Sequence, residues 1–280
     1  MSKPFGYRTV PFTVNRRMVA ATAAVNNNQN TIHSITEVDI TEPRRFIREH
    51  YQLSGEKLSL TAFIIICLAR AVAENPNMNS FRKGRNLILL DDVTISVLVE
   101  REIGGENIPE PFGIRAAQTK TYRQIHEEIR SAQNKREDKL GALSGITWVR
   151  FIPGFLLRMF IRMASCSIYM AKRFGKVGVT AVGMFGNSAL WFIPLSGATV
   201  LVTVGGIVER PVLIEGRLEL REFLCLTISF NHDIVDGAPA ARFVKRLEGL
   251  IKSGEALRDT VGAAHNTPYH DVPINVPYIN

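Results

Sequence analysis

The stretch Ser229-Phe230-Asn231-His232-Asp233-Ile234-Val235-Asp236-Gly237-Ala238 lies near the C-terminal end of the chain and decides its fold. The apolar run at residues 223–228 leads into it and predicts a buried strand. After it, apolar residues recur at helical spacing over residues 240–251, which predicts an amphipathic helix. His232 and Asp236 are therefore expected where a strand ends and a helix begins.

The residue types in this stretch suit acid–base chemistry. Histidine has an unperturbed pKa near neutrality, so His232 can serve as a general base. A carboxylate four residues later, at Asp236, can hold the local structure through an ion pair. The pattern His-x-x-x-Asp-Gly is also typical of a core histidine beside a turn aspartate, so by itself it leaves both interpretations open.

Composition limits the class of protein and its partners. The chain has 280 residues, of which 46% are hydrophobic, and a formal net charge of +8. This is enough for one large core or two small ones, and we expect a single domain over residues 1–261, followed by an extended tail at 262–280 that contains three prolines. The positive charge favours an anionic partner such as coenzyme A, a nucleic acid or an anionic membrane surface. Nucleic acid is disfavoured because the chain has no block of Lys and Arg and no basic-aromatic repeat.

The cysteines and the N-terminus predict a cellular location. Cys67, Cys166 and Cys225 all lie in apolar runs, which predicts buried thiols in a reducing compartment. They are too scattered for a disulfide framework or a metal site, so no metal is expected. The first residues lack the apolar segment of a signal peptide. We therefore expect a cytoplasmic protein.

Hydrophobic periodicity predicts the remaining elements. Helices are predicted at 14–25, at 44–51 with Thr41 as N-cap, from Ser59 onwards, and at 121–139. Strands are predicted at 31–40, 87–90 and 93–99 (the last two as a hairpin), 108–116, 176–182, 198–208 and 212–218, with a tight turn at Glu215-Gly216. Interleaved strands and amphipathic helices favour an α/β two-layer sandwich, in which a mixed sheet is covered by helices.

Residues 146–170 form an apolar segment that contains Arg150, Arg158 and Arg162. A membrane span needs about 20 mostly apolar residues without such charges, so a transmembrane helix is not expected. A packed helix at a subunit contact is the plainer interpretation. A basic amphipathic helix that lies on a membrane, or one that lines an apolar substrate site, remains open.

Several segments together resemble one family. They are residues 229–238, Arg17-Met18-Val19, Thr31-Ile32-His33, residues 60–64, Pro76-Asn77-Met78-Asn79 and residues 179–186. These segments resemble the catalytic domains of the dihydrolipoamide acyltransferases of 2-oxo acid dehydrogenase complexes. The His-x-x-x-Asp-Gly core is shared with chloramphenicol acetyltransferase. The resemblance implies the coenzyme A-dependent acyltransferase fold.

The resemblance also implies a reaction, in which an acyl group moves between the thiol of coenzyme A and an acceptor thiol, hydroxyl or amine. His232 would remove the proton of the attacking group, since a thiol is mostly protonated at neutral pH. Thr180 falls on the family's hydroxyl position and would stabilise the tetrahedral oxyanion, although by itself it is also a plain strand residue. Asp236 would pair with an arginine, for which Arg17 or Arg16 is the candidate.

Further implied features concern substrate and assembly. Substrate contacts are expected from Asn79, which could otherwise be a helix C-cap, and from Gly183, Met184, Phe185 and Ser229. No catalytic role is assigned to His33. In the family the active site lies between subunits of a trimer, so a homotrimer or a multiple of trimers is expected, with a small-molecule or lipoyl-type acceptor.

The sequence departs from the family pattern in ways that bear on function. The usual Asp-His-Arg reads Asn231-His232-Asp233, residues 104–111 and 193–196 replace other family segments, and residues 146–170 have no counterpart that we recognise. No lipoyl domain is expected, and hence no covalently bound lipoate in this chain. The acceptor would then belong to a separate protein or be a different molecule. A non-catalytic trimeric scaffold is the alternative function, and peripheral membrane contact through 146–170 also remains open.

Overall fold

The computed structural model of the protein describes residues 6–103, 106–134, 152–182 and 188–261. The helices in this part are α1 (Val14–Asn26), α2 (Thr41–Ser54), α3 (Leu60–Ala73), α4 (Tyr122–Asn134), α5 (Gly154–Ser165), α6 (Ile168–Phe174), α7 (Gly237–Ser253) and α8 (Glu255–Val261). The strands are β1 (Thr31–Asp39), β2 (Ser80–Lys83), β3 (Asn86–Leu89), β4 (Ile95–Ile103), β5 (Glu106–Ile114), β6 (Val177–Ala181), β7 (Val200–Ile214) and β8 (Arg217–Asn231). The predicted tail at 262–280 lies outside the described residues.

A six-stranded mixed sheet forms the centre of the molecule, with the strand order β1-β8-β7-β6-β4-β5. Strand β6 runs parallel to both of its neighbours, and the other adjacent pairs are antiparallel. Helices α3, α4 and α7 pack on one face of this sheet, where their buried side chains share one apolar cluster with the strands, so the predicted α/β sandwich with a mixed sheet is confirmed. We call the helix-covered side of the sheet the core face and the opposite side the second face.

The core lies between the core face and helices α3 and α7. Helix α3 is apolar almost all round, and ten of its residues are buried, as predicted from its sequence. Its N-terminus is capped by Ser59, whose hydroxyl accepts from the backbone N–H of Ala62 at 3.3 Å. From α7, Phe243 meets Phe230 of β8 edge to face, with ring centroids 5.8 Å apart. This packing holds the end of β8 firmly against the start of α7.

Strands β7 and β8 form one long hairpin. Its turn is Glu215-Gly216, at φ 50° and 79°, so the predicted tight turn is confirmed. The prediction of two separate strands around residues 209–211 is wrong, because β7 continues through Pro211, which lies opposite Leu220. Strand β6 pairs with β7 only over residues 200–204 of β7. Beyond that point the N–H of Gly206 donates to the carbonyl oxygen of Leu190 at 3.0 Å, and no described strand pairs with this edge of β7 at Pro211, where a proline can be accommodated.

The predicted hairpin between residues 87–90 and 93–99 is also wrong. Strand β3 pairs instead with β2 through a turn at Gly84, which has φ 62°, and β4 pairs with β5. The side-chain amide of Asn79 donates to the carbonyl oxygens of Leu90 at 2.7 Å and Asp92 at 3.0 Å. These bonds hold the chain between β3 and β4 in place and direct the two strands into different sheets.

Thr41 does not cap α2 as predicted. The helix begins at Thr41 itself, with Ile40 in the N-cap position. The Thr41 hydroxyl accepts from the backbone N–H of Glu222 at 2.9 Å, and Asp39 accepts from the backbone N–H of Thr41 at 3.0 Å. The hydroxyl thus joins α2 to β8, which is a tertiary contact that local sequence does not encode.

Candidate active site

The loop after β8 carries His232 and is fixed by backbone bonds. The N–H of His232 donates to the carbonyl oxygen of Asn30 at 2.7 Å, which ties the loop to the start of β1. The carbonyl oxygen of Asn231 accepts from the N–H of Val235 at 3.0 Å. The side chain of Asn231 accepts from the N–H of Asp233 at 3.0 Å. The loop is therefore a tight turn with a defined position for the imidazole, as the sequence predicted.

The imidazole of His232 is oriented by its own loop. Its Nδ1 lies 3.1 Å from the carbonyl oxygen of Val235. Because a carbonyl oxygen can only accept, this contact assigns the proton of the neutral ring to Nδ1 and leaves a lone pair on Nε2. The side chain is 46% exposed. An accessible unprotonated Nε2 on a fixed ring is the arrangement that a general base requires.

Asp236 lies beside this ring rather than against an arginine. Its Oδ1 is 3.8 Å from Nδ1 of His232, and its side chain is 85% exposed. Arg17 instead donates from Nη2 to the carbonyl oxygen of Ile152 at 2.6 Å, just before α5. The predicted pair between Asp236 and Arg17 is thus not formed within this chain, because the segment leading into α5 engages the Arg17 guanidinium. Among the described residues, no ion pair joins Arg16 to Asp236.

Thr180 lies near the C-terminal end of β6, where its side chain is on the second face of the sheet. It is opposite Thr203 on β7, which is in turn opposite Thr227 on β8. Thr180 is 9% exposed, and no described residue makes a hydrogen bond with its hydroxyl. His232 is two strands away and five residues further along β8, a backbone separation of roughly 15–20 Å. Within one protomer the two groups do not meet.

Hydroxyl groups line the second face next to Thr180. The Oγ1 atoms of Thr203 and Thr227 are buried and have no hydrogen-bond partner among the described residues. Two residues further along β8, the Ser229 hydroxyl lies 2.8 Å from Nδ1 of His33, while Ser229 itself is fully buried. Ser229, predicted to contact substrate, therefore shares a face with Thr180 and is engaged by a histidine side chain.

The other predicted substrate contacts are placed differently. Asn79 is 2% exposed, and its amide braces the backbone between β3 and β4, so its visible role in the structure is architectural. Gly183, Met184 and Phe185 lie outside the described residues, as do the first residues of the predicted insert. The structure brings His232 and Asp236 together and leaves Thr180 and Ser229 on a separate surface.

Comparison with known proteins identifies the family. A model of the 2-oxoacid dehydrogenases acyltransferase (catalytic domain) matches residues 5–145 and 173–258. The chain belongs to this family. The resemblance predicted from residues 229–238 and the other quoted segments is thereby confirmed, and so is the acyltransferase fold.

Individual relatives of this acyltransferase domain are distant. It is 26% identical over 258 residues to the lipoamide acyltransferase component of the branched-chain alpha-keto acid dehydrogenase complex of Bacillus subtilis, covering 89% of this chain and 53% of that protein. The chain spans about half the length of the curated relatives it matches.

Two solved structures share the fold with TM-scores of 0.69, 22% identity, and coverage of 91% of this chain and 94% of theirs. One is the cubic core of the pyruvate dehydrogenase multienzyme complex. The other is the dihydrolipoamide acetyltransferase of Azotobacter vinelandii, studied for the roles of a serine, a histidine and an asparagine in its catalytic mechanism.

The internal segment that the family model leaves out of this acyltransferase domain is residues 146–172, which contains the predicted insert at 146–170. The described part of it forms α5 and most of α6, and α5 packs on α1. Large apolar side chains are exposed on these helices, among them Phe155, Met159, Met163 and Tyr169. No single helix in the described ranges is long and apolar enough to cross a membrane, but α5 and α6 together, bent by 76°, meet those criteria of length and composition.

A cavity beside the His232 loop was not predicted from the sequence. It has a volume of about 710 Å³ and is lined by the basic side chains of Arg82, Arg158, Arg162 and Lys176. Cys166 also lines it and is exposed, so the prediction of three buried thiols is wrong for this residue. Cys166 ends α5 at the bend before α6, where the apolar run turns away from the core. The one sequence signal for the cavity is the i, i+4 pair of arginines in the insert.

Proposed function

We propose that this chain transfers an acyl group between coenzyme A and an acceptor thiol, with His232 as the general base. The observation that carries the proposal is the contact between Nδ1 of His232 and the carbonyl oxygen of Val235. That contact supports Nδ1 as the protonated nitrogen of the neutral ring, and the tight turn after β8 supports a fixed direction for the lone pair on Nε2. Membership of the acyltransferase family supports the reaction class.

In the proposed reaction Nε2 accepts the proton of the attacking thiol while its sulfur bonds to the thioester carbonyl carbon. The carbonyl oxygen becomes an oxyanion. The intermediate then expels the leaving thiolate, which takes the proton back from the imidazolium. Atoms and charge balance without an acyl-enzyme, because the base returns the proton that it removed.

A hydroxyl from a neighbouring protomer completes the proposed site. Thr180 has a hydroxyl with no partner among the described residues and lies too far from His232 in the same chain. We therefore assign the oxyanion contact to Thr180 of an adjacent copy, which makes a homotrimer with shared active sites the expected assembly. Asp236, 3.8 Å from the ring, would favour the imidazolium that forms during transfer.

The spacing of these three residues supports their roles. In the Azotobacter vinelandii acetyltransferase the serine studied for catalysis precedes the histidine by 52 residues, and the asparagine follows it by four. Thr180, His232 and Asp236 stand at the same two intervals. A hydroxyl residue and a histidine are retained, while an aspartate stands where that protein has an asparagine.

Acyl exchange by the purified protein tests this proposal. Acetyl-, succinyl- and isobutyryl-coenzyme A are each mixed with dihydrolipoamide, and free coenzyme A is separated from its thioester by chromatography. Thiol titration would not serve, because this exchange consumes one thiol for each that it releases. His232→Ala should lower kcat by about 10²–10⁴-fold, since it removes the base.

The matched control is His126→Ala, which removes a partly exposed histidine that stacks on Tyr122 of α4. It should keep the wild-type rate. Equal rates in the wild type and His232→Ala, with the oligomer intact in both, would contradict the catalytic proposal and favour the non-catalytic scaffold. Turnover with a hydroxyl or amine acceptor but not with dihydrolipoamide would contradict the choice of a thiol acceptor.

A further inference from the structure

The cavity beside the catalytic loop is walled by elements that are distant in sequence. The C-terminal end of α1, strand β2, helix α5 and the loop around His232 all contribute to it. Its volume of about 710 Å³ is within the range of small-molecule sites, which is roughly 300–1,000 Å³. Asn231 and Asp233, the two sequence neighbours of His232, form one wall. His232 itself is not among the lining residues, so a ligand in this cavity would contact the loop that carries the proposed base.

Positive charge dominates the lining. Arg82, Arg158, Arg162 and Lys176 supply four cations, and Asp233 is the one carboxylate among the described lining residues. Asp233 is already held by the amide of Asn30 at 2.9 Å and lies 3.9 Å from Arg82. Four positive charges against one negative charge leave a local excess of three. This excess favours a ligand that carries several negative charges.

Lys176 is the most deeply buried of these cations. It is 9% exposed, its Nζ donates to the carbonyl oxygen of Ser165 at 2.6 Å, and the ammonium lies 4.9 Å from the ring centroid of Phe81. Desolvation lowers the pKa of Lys176. A buried ammonium held by a carbonyl and a ring lacks a full counter-charge, and an anion in the cavity would provide one.

The two insert arginines are available for such an anion. Nε of Arg158 donates only weakly to the carbonyl oxygen of Gly154, at 3.4 Å. Among the described residues, no carboxylate lies within 4 Å of Arg158 or Arg162. The Oε1 of Gln29, which also lines the cavity, is buried without a hydrogen-bond partner in the described part of the chain. Both guanidinium groups can therefore donate to an anion, whereas the Gln29 oxygen can only accept and would suit a hydroxyl or amide donor of the same ligand.

We propose that this cavity binds the phosphate groups of coenzyme A, and that Arg158 and Arg162 are the insert's contribution to that binding. The inference rests on the proposed function, because it assigns the thioester substrate to this side of His232. Guanidinium groups bind phosphate in bidentate fashion, which makes arginine the natural ligand for a di- or monophosphate ester. Both arginines lie in the segment that the family model does not match, so this contribution belongs to this chain.

Calorimetric binding to the intact oligomer tests the assignment. The probes are coenzyme A, dephospho-coenzyme A, pantetheine and inorganic pyrophosphate. The double variant Arg158→Gln/Arg162→Gln should weaken binding of coenzyme A at least tenfold and leave pantetheine, which has no phosphate, unchanged. The matched control is Arg173→Gln, which removes one charge from α6 outside the cavity and should bind coenzyme A as the wild type does.

Kinetics separate this inference from the proposed function. For acetyl-coenzyme A the double variant should raise KM at least tenfold with little change in kcat, whereas with acetyl-pantetheine neither should change. His232→Ala should bind coenzyme A normally while it loses turnover. Arginine-dependent binding in a wild type without turnover would refute the proposed reaction and leave the phosphate site standing.

Three results would overturn the phosphate site. The first is unchanged affinity and KM for coenzyme A in the double variant. The second is equal weakening by Arg173→Gln, which would indicate general electrostatic attraction. The third is a double variant that no longer binds pyrophosphate but still binds coenzyme A as the wild type does. That result would assign the arginines to a phosphorylated acceptor. If the double Gln variant does not fold, Arg158→Lys/Arg162→Lys keeps the charge, and a loss of at least threefold in affinity is then expected because the bidentate geometry is gone.

Discussion

Replacing Thr180 by valine isolates the contribution of one hydroxyl to catalysis. The two side chains have nearly the same shape, and valine suits a β-strand, so β6 should keep its structure. Thr180 Oγ1 has no hydrogen-bond partner among the described residues, so the change removes no bond that the structure shows within the chain. If the hydroxyl donates to the oxyanion, its loss costs about 3 kcal/mol in the transition state. That is about 10²-fold in kcat.

The sheet provides a matched control in Thr203→Val. Thr203 is the register partner of Thr180 on β7, its side chain is on the same face, and it is also buried, with 1% exposed against 9% for Thr180. Thr203 lies on the neighbouring strand β7, and its hydroxyl is not assigned to the oxyanion. Thr203→Val should keep kcat, and Thr180→Ser, which retains a hydroxyl, should remain within about tenfold of the wild type.

The assay is acyl exchange from acetyl-coenzyme A, with the oligomeric state and the melting temperature measured for each variant. A wild-type kcat in Thr180→Val would refute the role of this hydroxyl. An equal fall in Thr180→Val and Thr203→Val would refute it too, since the common cause would then be a disturbed second face. A higher KM with unchanged kcat would assign Thr180 to substrate binding instead of transition-state stabilisation.

Two further changes test the assembly and the framework around the site. Homotrimers of His232→Ala and of Thr180→Val should each be at least about 10²-fold slower than the wild type, but trimers assembled from both chains should regain part of the exchange activity at interfaces that join an intact base to an intact hydroxyl. No recovery in verified mixed trimers would contradict a shared site. Gly175→Ala should lower the free energy of unfolding by more than about 3 kcal/mol, since at φ 79° its new Cβ would collide with the carbonyl oxygen of Thr94. Gly84→Ala, at φ 62° with open space around it, should cost only about 1–2 kcal/mol in the same denaturant titration.

Local patterns were sufficient where one segment determines its own structure. The run before Ser229 is a strand, the turn holds His232, and α7 starts at Gly237, because an apolar run, a turn residue and helical spacing are each encoded within a few positions. The buried helix α3 was predictable for the same reason, since its apolar circumference leaves no solvent-facing side. These are the parts of the fold and the site that sequence reasoning established.

Pairing choices were not local, and there the predictions failed. The runs at 87–90 and 93–99 are both apolar and adjacent, yet Asn79 holds the connection between them and each finds another partner. Pro211 interrupts a sequence pattern but not β7, because β6 ends before it and no described strand needs a backbone N–H from residue 211. A sequence records which residues can form strands, whereas the neighbour on each edge is set by the whole sheet.

The basic cavity shows why specificity is harder to predict than chemistry. His232 and Thr180 lie in segments that the family model matches, whereas Arg158 and Arg162 lie in a segment that it skips. Arg82 is far from both in sequence and Lys176 directly precedes the next strand, so apart from the i, i+4 arginine pair the sequence carries no signal that joins the four. The four charges line one cavity only because α5 packs on α1 and lies close to β2 and the catalytic loop. If the insert was added to a complete acyltransferase, deleting it should raise KM for acetyl-coenzyme A more than it lowers kcat. The arginine variants test the same distinction, because they should raise KM with little change in kcat.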